Sequence, residues 1–227
     1  MGCRFGRVTL GARTAAACAK LALVKLAAIA LVVAASCAST AVPTRNPTDP
    51  AAAAPSAANS VPHGDSGAAA KLVGERPPEW QATLWLNSPP LRLADLQGKV
   101  VLVRWWTAGC PVCSASAPAL REFDKEYRDR GLVVVGMYHH KDSTPFDPAV
   151  YEATAKQYGF TFPLAFDPDW KTLESWRSGV DKGFTSMSFL IGRDGVLRYV
   201  HPGGQYVRGD PGYADVRAAI ECALTER

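Results

Sequence analysis

A cysteine pair at the end of an apolar strand constrains this chain more than any other feature. Lys99-Val-Val-Leu-Val-Arg104-Trp105-Trp106 is a near-continuous apolar run, and Cys110-Pro111-Val112-Cys113 follows after three residues. Such a run is typical of a strand buried on both faces of a mostly parallel sheet. From Pro111 to about Arg130 the pattern turns helical, with Leu120, Phe123 and Tyr127 on one face. Asp124–Arg128 and Glu126–Arg130 add pairs at i,i+4 spacing, and Gly131 supplies the stop. The strand end therefore fixes the Cys110 sulfur in space, and the helix points its free N–H groups at it. Those groups and the helix dipole favour a thiolate at Cys110, while Cys113 in the first turn is the shielded sulfur. Pro111 suits the first helical position, where its missing N–H would have no partner anyway.

A dithiol at a strand-to-helix junction is a redox arrangement. The alternatives are a structural disulfide or a zinc site. Structural zinc needs four ligands, and the remaining candidates, Cys222, His63, His139, His140 and His201, form no second spaced pair apart from the adjacent histidines. No metal is expected. Thiol–disulfide exchange proceeds by a mixed disulfide between the attacking sulfur and a partner, released by the second thiol. In that scheme Cys110 attacks and Cys113 resolves.

The other elements place this junction in an α/β domain. Leu84–Leu86 and Leu91–Leu93 read as two short strands around Asn-Ser-Pro-Pro90, an N-terminal hairpin extension. Leu132–Tyr138 is a second buried strand, and Pro148–Tyr158 a helix closed by Gly159. Phe162–Phe166 reads as a short strand and Pro168–Arg177 as a further helix. Ser186–Ile191 and Val196–Val200 form a hairpin across Gly192-Arg-Asp-Gly195, and Tyr213–Leu224 is a closing amphipathic helix. Trp105 and Trp106 are expected in the core. Cys222 reads as a helix-packing residue, and His139, His140 and His201 as loop histidines without an assigned role.

Charge is unevenly distributed. Residues Met1–Thr48 contain no Asp or Glu, whereas Arg4, Arg7, Arg13, Lys20 and Lys25 precede an apolar run, Leu26–Ala35. A basic region, a short apolar core and the small residues before Cys37 are the marks of a secretory signal, here residues 1–36. The apolar run is too short for a membrane span, which takes about 20 residues. Without this leader the formal net charge of +4 falls to −1, so the basicity gives no support for nucleic-acid binding. Val-Val-Ala-Ala-Ser before Cys37 resembles a lipobox, with Ala34 where Leu is usual, and marks Cys37 as a lipid-attachment candidate. The alternative is an ordinary cleaved signal, cut near Ala38-Ser-Thr-Ala41. Residues 37–74, rich in Ala, Pro and Ser, lack the apolar surface to offset ordering entropy and read as a disordered tether to a domain over 75–227.

Asp95-Leu-x-Gly-Lys-Val-Val-Leu-Val-x-Trp-Trp-x-x-x-Cys-x-x-Cys-x-x-x-x-Pro118, with Phe189-Leu-Ile-Gly-Arg-Asp-Gly195, resembles the thioredoxin-like redoxins. The nearest resemblance is to the exported, membrane-tethered TlpA-like thiol–disulfide oxidoreductases, which overlap with the AhpC/TSA peroxiredoxins. It implies a thioredoxin-like fold, a mixed central sheet flanked by helices, with Cys110 as nucleophile and Pro118 as the kink proline of the active-site helix. It also implies protein dithiol or disulfide partners, an upstream electron donor or acceptor and no cofactor, on the periplasmic side of the cell envelope.

Three positions depart from that pattern. Ser186 stands where the family carries a cis-proline, so the preceding peptide is expected to be trans, a non-proline cis bond costing about 3 kcal/mol. Arg104 occupies the strand position of thioredoxin's buried Asp. It is either a cation near the sulfurs, which would make the pair more oxidising, or an Arg whose head reaches water or a carboxylate. Gly109 replaces a Trp and leaves Cys110 less covered. Trp106 and Thr107 complete the supporting set. Thr107-x-x-Cys110 also matches the end of the peroxiredoxin motif, although Val103 stands in place of its proline. A peroxidase using Cys110 and a non-catalytic thioredoxin-fold binding module are therefore the alternatives to an exchange enzyme.

Overall fold

A computed structural model describes residues 66–180 and 183–226. The signal over 1–36, Cys37, His63 and the tether up to residue 65 lie outside the described residues. Among the described residues six strands form one sheet: β1 (Thr83–Leu86), β2 (Val100–Trp106), β3 (Leu132–Tyr138), β4 (Leu164–Phe166), β5 (Ser188–Ile191) and β6 (Leu197–His201). Their order is β1-β4-β3-β2-β5-β6. β2, β3 and β4 run parallel, whereas β1, β5 and β6 pair antiparallel to their neighbours. The helices are α1 (Ser66–Ala70), α2 (Pro111–Tyr127), α3 (Pro148–Gln157), α4 (Lys171–Trp176) and α5 (Pro211–Thr225). This is the mixed thioredoxin-like sheet with flanking helices that the sequence predicts.

All seven residues of β2 are buried, as its near-continuous apolar pattern predicts, and Arg104 is buried with them. Because side chains alternate across a strand, Val100, Leu102 and Trp106 join Leu120, Phe123, Val216 and Ile220 of α2 and α5 on one face. Val101, Val103 and Trp105 join Leu173 and Trp176 of α4, together with Trp80 and Ala69, on the other. The i,i+4 pair Arg128–Asp124 forms. Glu126 instead accepts hydrogen bonds from Arg217 and so ties α2 to α5. The β5–β6 turn closes as expected, Gly195 N–H donating to the Gly192 carbonyl at 2.9 Å.

Three expectations are corrected. No N-terminal hairpin forms: β1 pairs with β4, and Leu93–Leu96 is a single 3-10 turn. Pro89 and Pro90 cannot donate to a ladder, and Asn87 Nδ2 donates to the Phe160 and Phe162 carbonyls at 3.1 and 3.0 Å, drawing the chain toward the segment before β4. Residues 66–74 belong to the fold rather than to the tether: Ala69 is fully buried, and Gly74 N–H donates to the Leu197 carbonyl. The helix expected over Pro168–Arg177 breaks at Asp169 and Trp170, both left-handed, into a 3-10 turn and α4.

That break is organised by Asp167, which is fully buried. Its Oδ2 accepts from Trp105 Nε1 at 3.0 Å and Leu173 N–H at 2.9 Å, and its Oδ1 from Thr172 N–H at 2.8 Å. One carboxylate thus caps α4 and fixes the inward-facing Trp of β2. Asp167→Ala leaves three donors unmet and is expected to destabilise the fold by about 3 kcal/mol or more, measured as a lowered urea midpoint with an unchanged slope.

Candidate functional site

At the C-terminal end of β2 the chain turns through Thr107–Gly109 and enters α2. Gly109 takes a left-handed φ of +68°, has open space around it and is exposed, so Cys110 is uncovered on that side. Cys110 is the N-cap of α2, with Pro111 at the first position. Its sulfur accepts from Cys113 N–H at 3.2 Å, and its carbonyl accepts from Cys113 and Ser114 N–H at 3.1 Å. The two cysteines are joined as a disulfide, their Cα atoms 5.2 Å apart. Cys110 is half-buried and Cys113 buried, the asymmetry the first-turn placement predicts. Pro118, inside α2, removes the N–H that Ser114 would have received. Ser114 and Ser116 hydroxyls bind back to the Pro111 and Val112 carbonyls.

The disulfide opens onto a cleft of about 370 Å³, lined by Thr107, Cys110, Cys113, His139, Thr185 and Ser186 among others. All described peptide bonds are trans, including the one before Ser186. Ser186 Oγ accepts from Gly204 N–H at 3.2 Å, which pins the segment facing the cysteines. A side chain at Gly203 would meet Phe184, with a Cβ only 2.1 Å from the Phe184 Cβ, so the loop after β6 presses on the cleft wall only because it carries glycine there.

Trp106 is core, as expected, stacked on Tyr151 and packed against Tyr138, Tyr158 and Phe160 in the same cluster as Cys113. Arg104 is fully buried. Among the described residues it reaches no carboxylate: it donates to Ser188 Oγ at 3.3 Å and to the Gly204 carbonyl at 2.7 Å, and lies 4.9 Å from the centroid of the Tyr206 ring. Burial pushes its pKa below the ordinary value, with Tyr206 opposing. Cys222 is half-buried on α5 and does not line the cleft.

The loop histidines need correction. His139 is 1% exposed, at the end of β3, with its ring edge against Trp170 and neither ring nitrogen hydrogen-bonded. His201 is buried on β6, its Nδ1 accepting from Gly203 N–H at 3.3 Å, and His140 is half-buried. The sequence names His139 and Arg104 but not their surroundings, since nothing local shows Trp170 covering the one or Tyr206 and Gly204 meeting the other.

Residues 72–216 match the family model described as Redoxin. The chain belongs to the Redoxin family. It is 29% identical over 146 residues to Protein DipZ of Mycobacterium tuberculosis, a match covering 63% of this chain and 20% of that one. It is 31% identical over 125 residues to the thiol-disulfide oxidoreductase ResA of Bacillus thuringiensis, covering 55% of this chain and 66% of ResA. The chain thus spans only a fifth of DipZ and about two thirds of ResA. Among solved structures, a thiol:disulfide interchange protein of the thioredoxin family from Chlorobium tepidum has the same fold, at 20% identity and a TM-score of 0.54, covering 66% of this chain and 97% of that one.

His139 gives the domain a pH signature. Burial, then the positive charges of Lys141, Arg177 and Arg104, push its pKa from 6.5 down to about 3. Below pH 6.5 the unfolded chain takes a proton that the folded chain refuses until about pH 3, so stability is lost as pH falls through that window. Between neutral pH and pH 5 this term removes about 2 kcal/mol. Urea unfolding should show that loss in the wild type and a flatter profile in His139→Phe.

Proposed function

We propose that this Redoxin domain is a thiol–disulfide oxidoreductase whose redox centre is Cys110–Cys113. The observation that carries the reading is the disulfide at the N-terminus of α2, one sulfur half-buried at a cleft mouth and the other beneath it. In the reduced form the helix N-terminus favours a thiolate on Cys110. That sulfur attacks a partner disulfide, whose bond breaks and whose departing sulfur takes a proton. Cys113 then attacks Cys110 and releases the second partner thiol, so two electrons and two protons pass to the partner. Run backward, the same steps oxidise a partner dithiol. No cofactor enters this chemistry.

Trp106 backs the site from the core, Thr107 and Ser186 line the approach to the sulfurs, Pro111 starts the helix, and Pro118 frees the Ser114 carbonyl one turn in. The partners are proteins carrying a thiol pair or disulfide, with a further redox protein to reset the centre. ResA and DipZ are relatives consistent with this reading. The peroxidase alternative is weaker, because Val103, at the place of the peroxiredoxin proline, packs in the core cluster with Trp105, away from the dithiol side of β2.

Cys113→Ser should accumulate covalent adducts on Cys110 when incubated with envelope proteins, resolved by non-reducing electrophoresis, and Cys110→Ser should accumulate none. If Cys113→Ser gives no adduct and the wild type consumes no peroxide, both enzymatic readings fail and the binding module remains.

The sequence also supports export and lipid anchoring. The leader over 1–36 and the lipobox-like residues before Cys37 underlie this proposal, and among the described residues no helix is long and apolar enough to cross a membrane. A fatty-acid analogue fed to an expressing bacterium should label the wild type and spare Cys37→Ala. Equal labelling of the two would remove the anchor.

A further inference from the structure

Arg104 is a cation in a place where few cations are kept. Its side chain is fully buried, and among the described residues it has no carboxylate partner and its Nε no hydrogen-bond partner. Taking a charge out of water without an opposite charge is strongly unfavourable. A neutral side chain would fill the space at lower cost, so the position is better explained by what the charge does than by what it stabilises.

Its place in the fold says what it acts on. Arg104 lies on the side of β2 that carries Val100, Leu102 and Trp106, the side packed against Cys113 and Ala117 of α2. Beside its guanidinium is the ring of Tyr206, whose backbone N–H donates to Ser116 Oγ at 3.1 Å. Ser116 is three residues beyond Cys113, and its hydroxyl donates to the carbonyl of Val112, between the two cysteines. On its other side the guanidinium holds the Gly204 carbonyl, and Gly204 N–H holds Ser186 at the cleft wall. The charge is therefore held by β5 and the loop after β6, and is linked to both walls of the dithiol site, by hydrogen bonds through Gly204 to Ser186 and by the Tyr206 ring, whose backbone binds Ser116, to α2. Asp142, the carboxylate that lines the cleft, is exposed on the loop after β3, where water screens it.

We propose that buried Arg104 stabilises the thiolate form of the reduced Cys110–Cys113 pair, and so makes its disulfide form an oxidant of partner dithiols. The proposal rests on the exchange reading above and gives it a direction. The oxidised centre accepts two electrons from a partner dithiol: the Cys110–Cys113 bond breaks, a partner disulfide forms, and the two protons released by the partner pass to water or to the new thiols. A positive charge in a low-dielectric interior favours the side of this equilibrium that bears the thiolate. Arg104 acts through the sulfurs' surroundings, as a positioning residue, and forms no bond to the partner.

The test is the equilibrium of the whole protein with reduced and oxidised glutathione, read by thiol alkylation and gel shift. Arg104→Gln keeps a donor for the Gly204 carbonyl but removes the charge, and Arg104→Met removes both. Each should shift the equilibrium toward the disulfide by about tenfold or more, a potential lower by about 30 mV, and move the thiolate ultraviolet absorbance to higher pH. A purely structural role would leave Arg104→Gln at the wild-type equilibrium, and that result overturns the proposal. The wild type gives an independent arm should the variants not fold. In a glutathione buffer that holds protein disulfide isomerase half-oxidised, it should be mainly reduced, and a mainly oxidised population overturns the stated direction. If wild-type protein exchanges with neither glutathione nor a peptide disulfide, the oxidoreductase reading itself fails. Intact exchange with equal equilibria for wild type and Arg104→Gln sinks only the role of Arg104.

Discussion

The complete burial of β2 is the constraint on which the rest of this molecule depends. Seven consecutive residues without access to water need a partner strand on each side and a packed layer on each face, and the fold supplies all four. β3 and β5 take up its backbone hydrogen bonds, α2 and α5 cover one face, and α4 with the N-terminal segment covers the other. A strand held this firmly has a fixed end. Cys110, four residues past Trp106, inherits that rigidity, and α2 can begin there with the sulfur as its cap.

The same strand carries the two polar contacts that give the core its asymmetry. On one face Trp105 donates to Asp167, which also caps α4 and holds a kinked connection in place. On the other face Arg104 binds Ser188 and Gly204 and lies against Tyr206. A carboxylate with three donors is a satisfied buried charge. A guanidinium with two neutral acceptors is not. The first arrangement accounts for stability, and the second is the one to which we assign a role at the reduced dithiol, through Gly204 and Tyr206.

The cleft depends on a second constraint, the approach of the loop after β6. Gly203 allows that loop to press on Phe184, and Gly204 reaches Ser186. The wall that would face a docked partner is thus held by side-chain and backbone hydrogen bonds rather than by the proline usual in this family. Around it the charges are mostly positive. Lys141, Arg177 and Arg104 all act on His139, which stays neutral in the fold.

The sequence by itself determined the strand, the dithiol, the helix that starts on it, the β5–β6 hairpin and the relation to the redoxins, because each of these is written in adjacent residues. Hydrophobic period, a proline at the first helical position and glycines at turns act over a few residues, so they are legible without the fold. The pairing of β1, the break before α4, the burial of His139 and the surroundings of Arg104 were decided only by tertiary structure. In each case the deciding partner is distant in sequence: Phe160 and Phe162 for Asn87, Trp105 for Asp167, Trp170 for His139, and Gly204 with Tyr206 for Arg104. Whether Arg104 faces water, a carboxylate or a dry interior is a question of which side chains meet it across the chain, and local pattern carries no information on that.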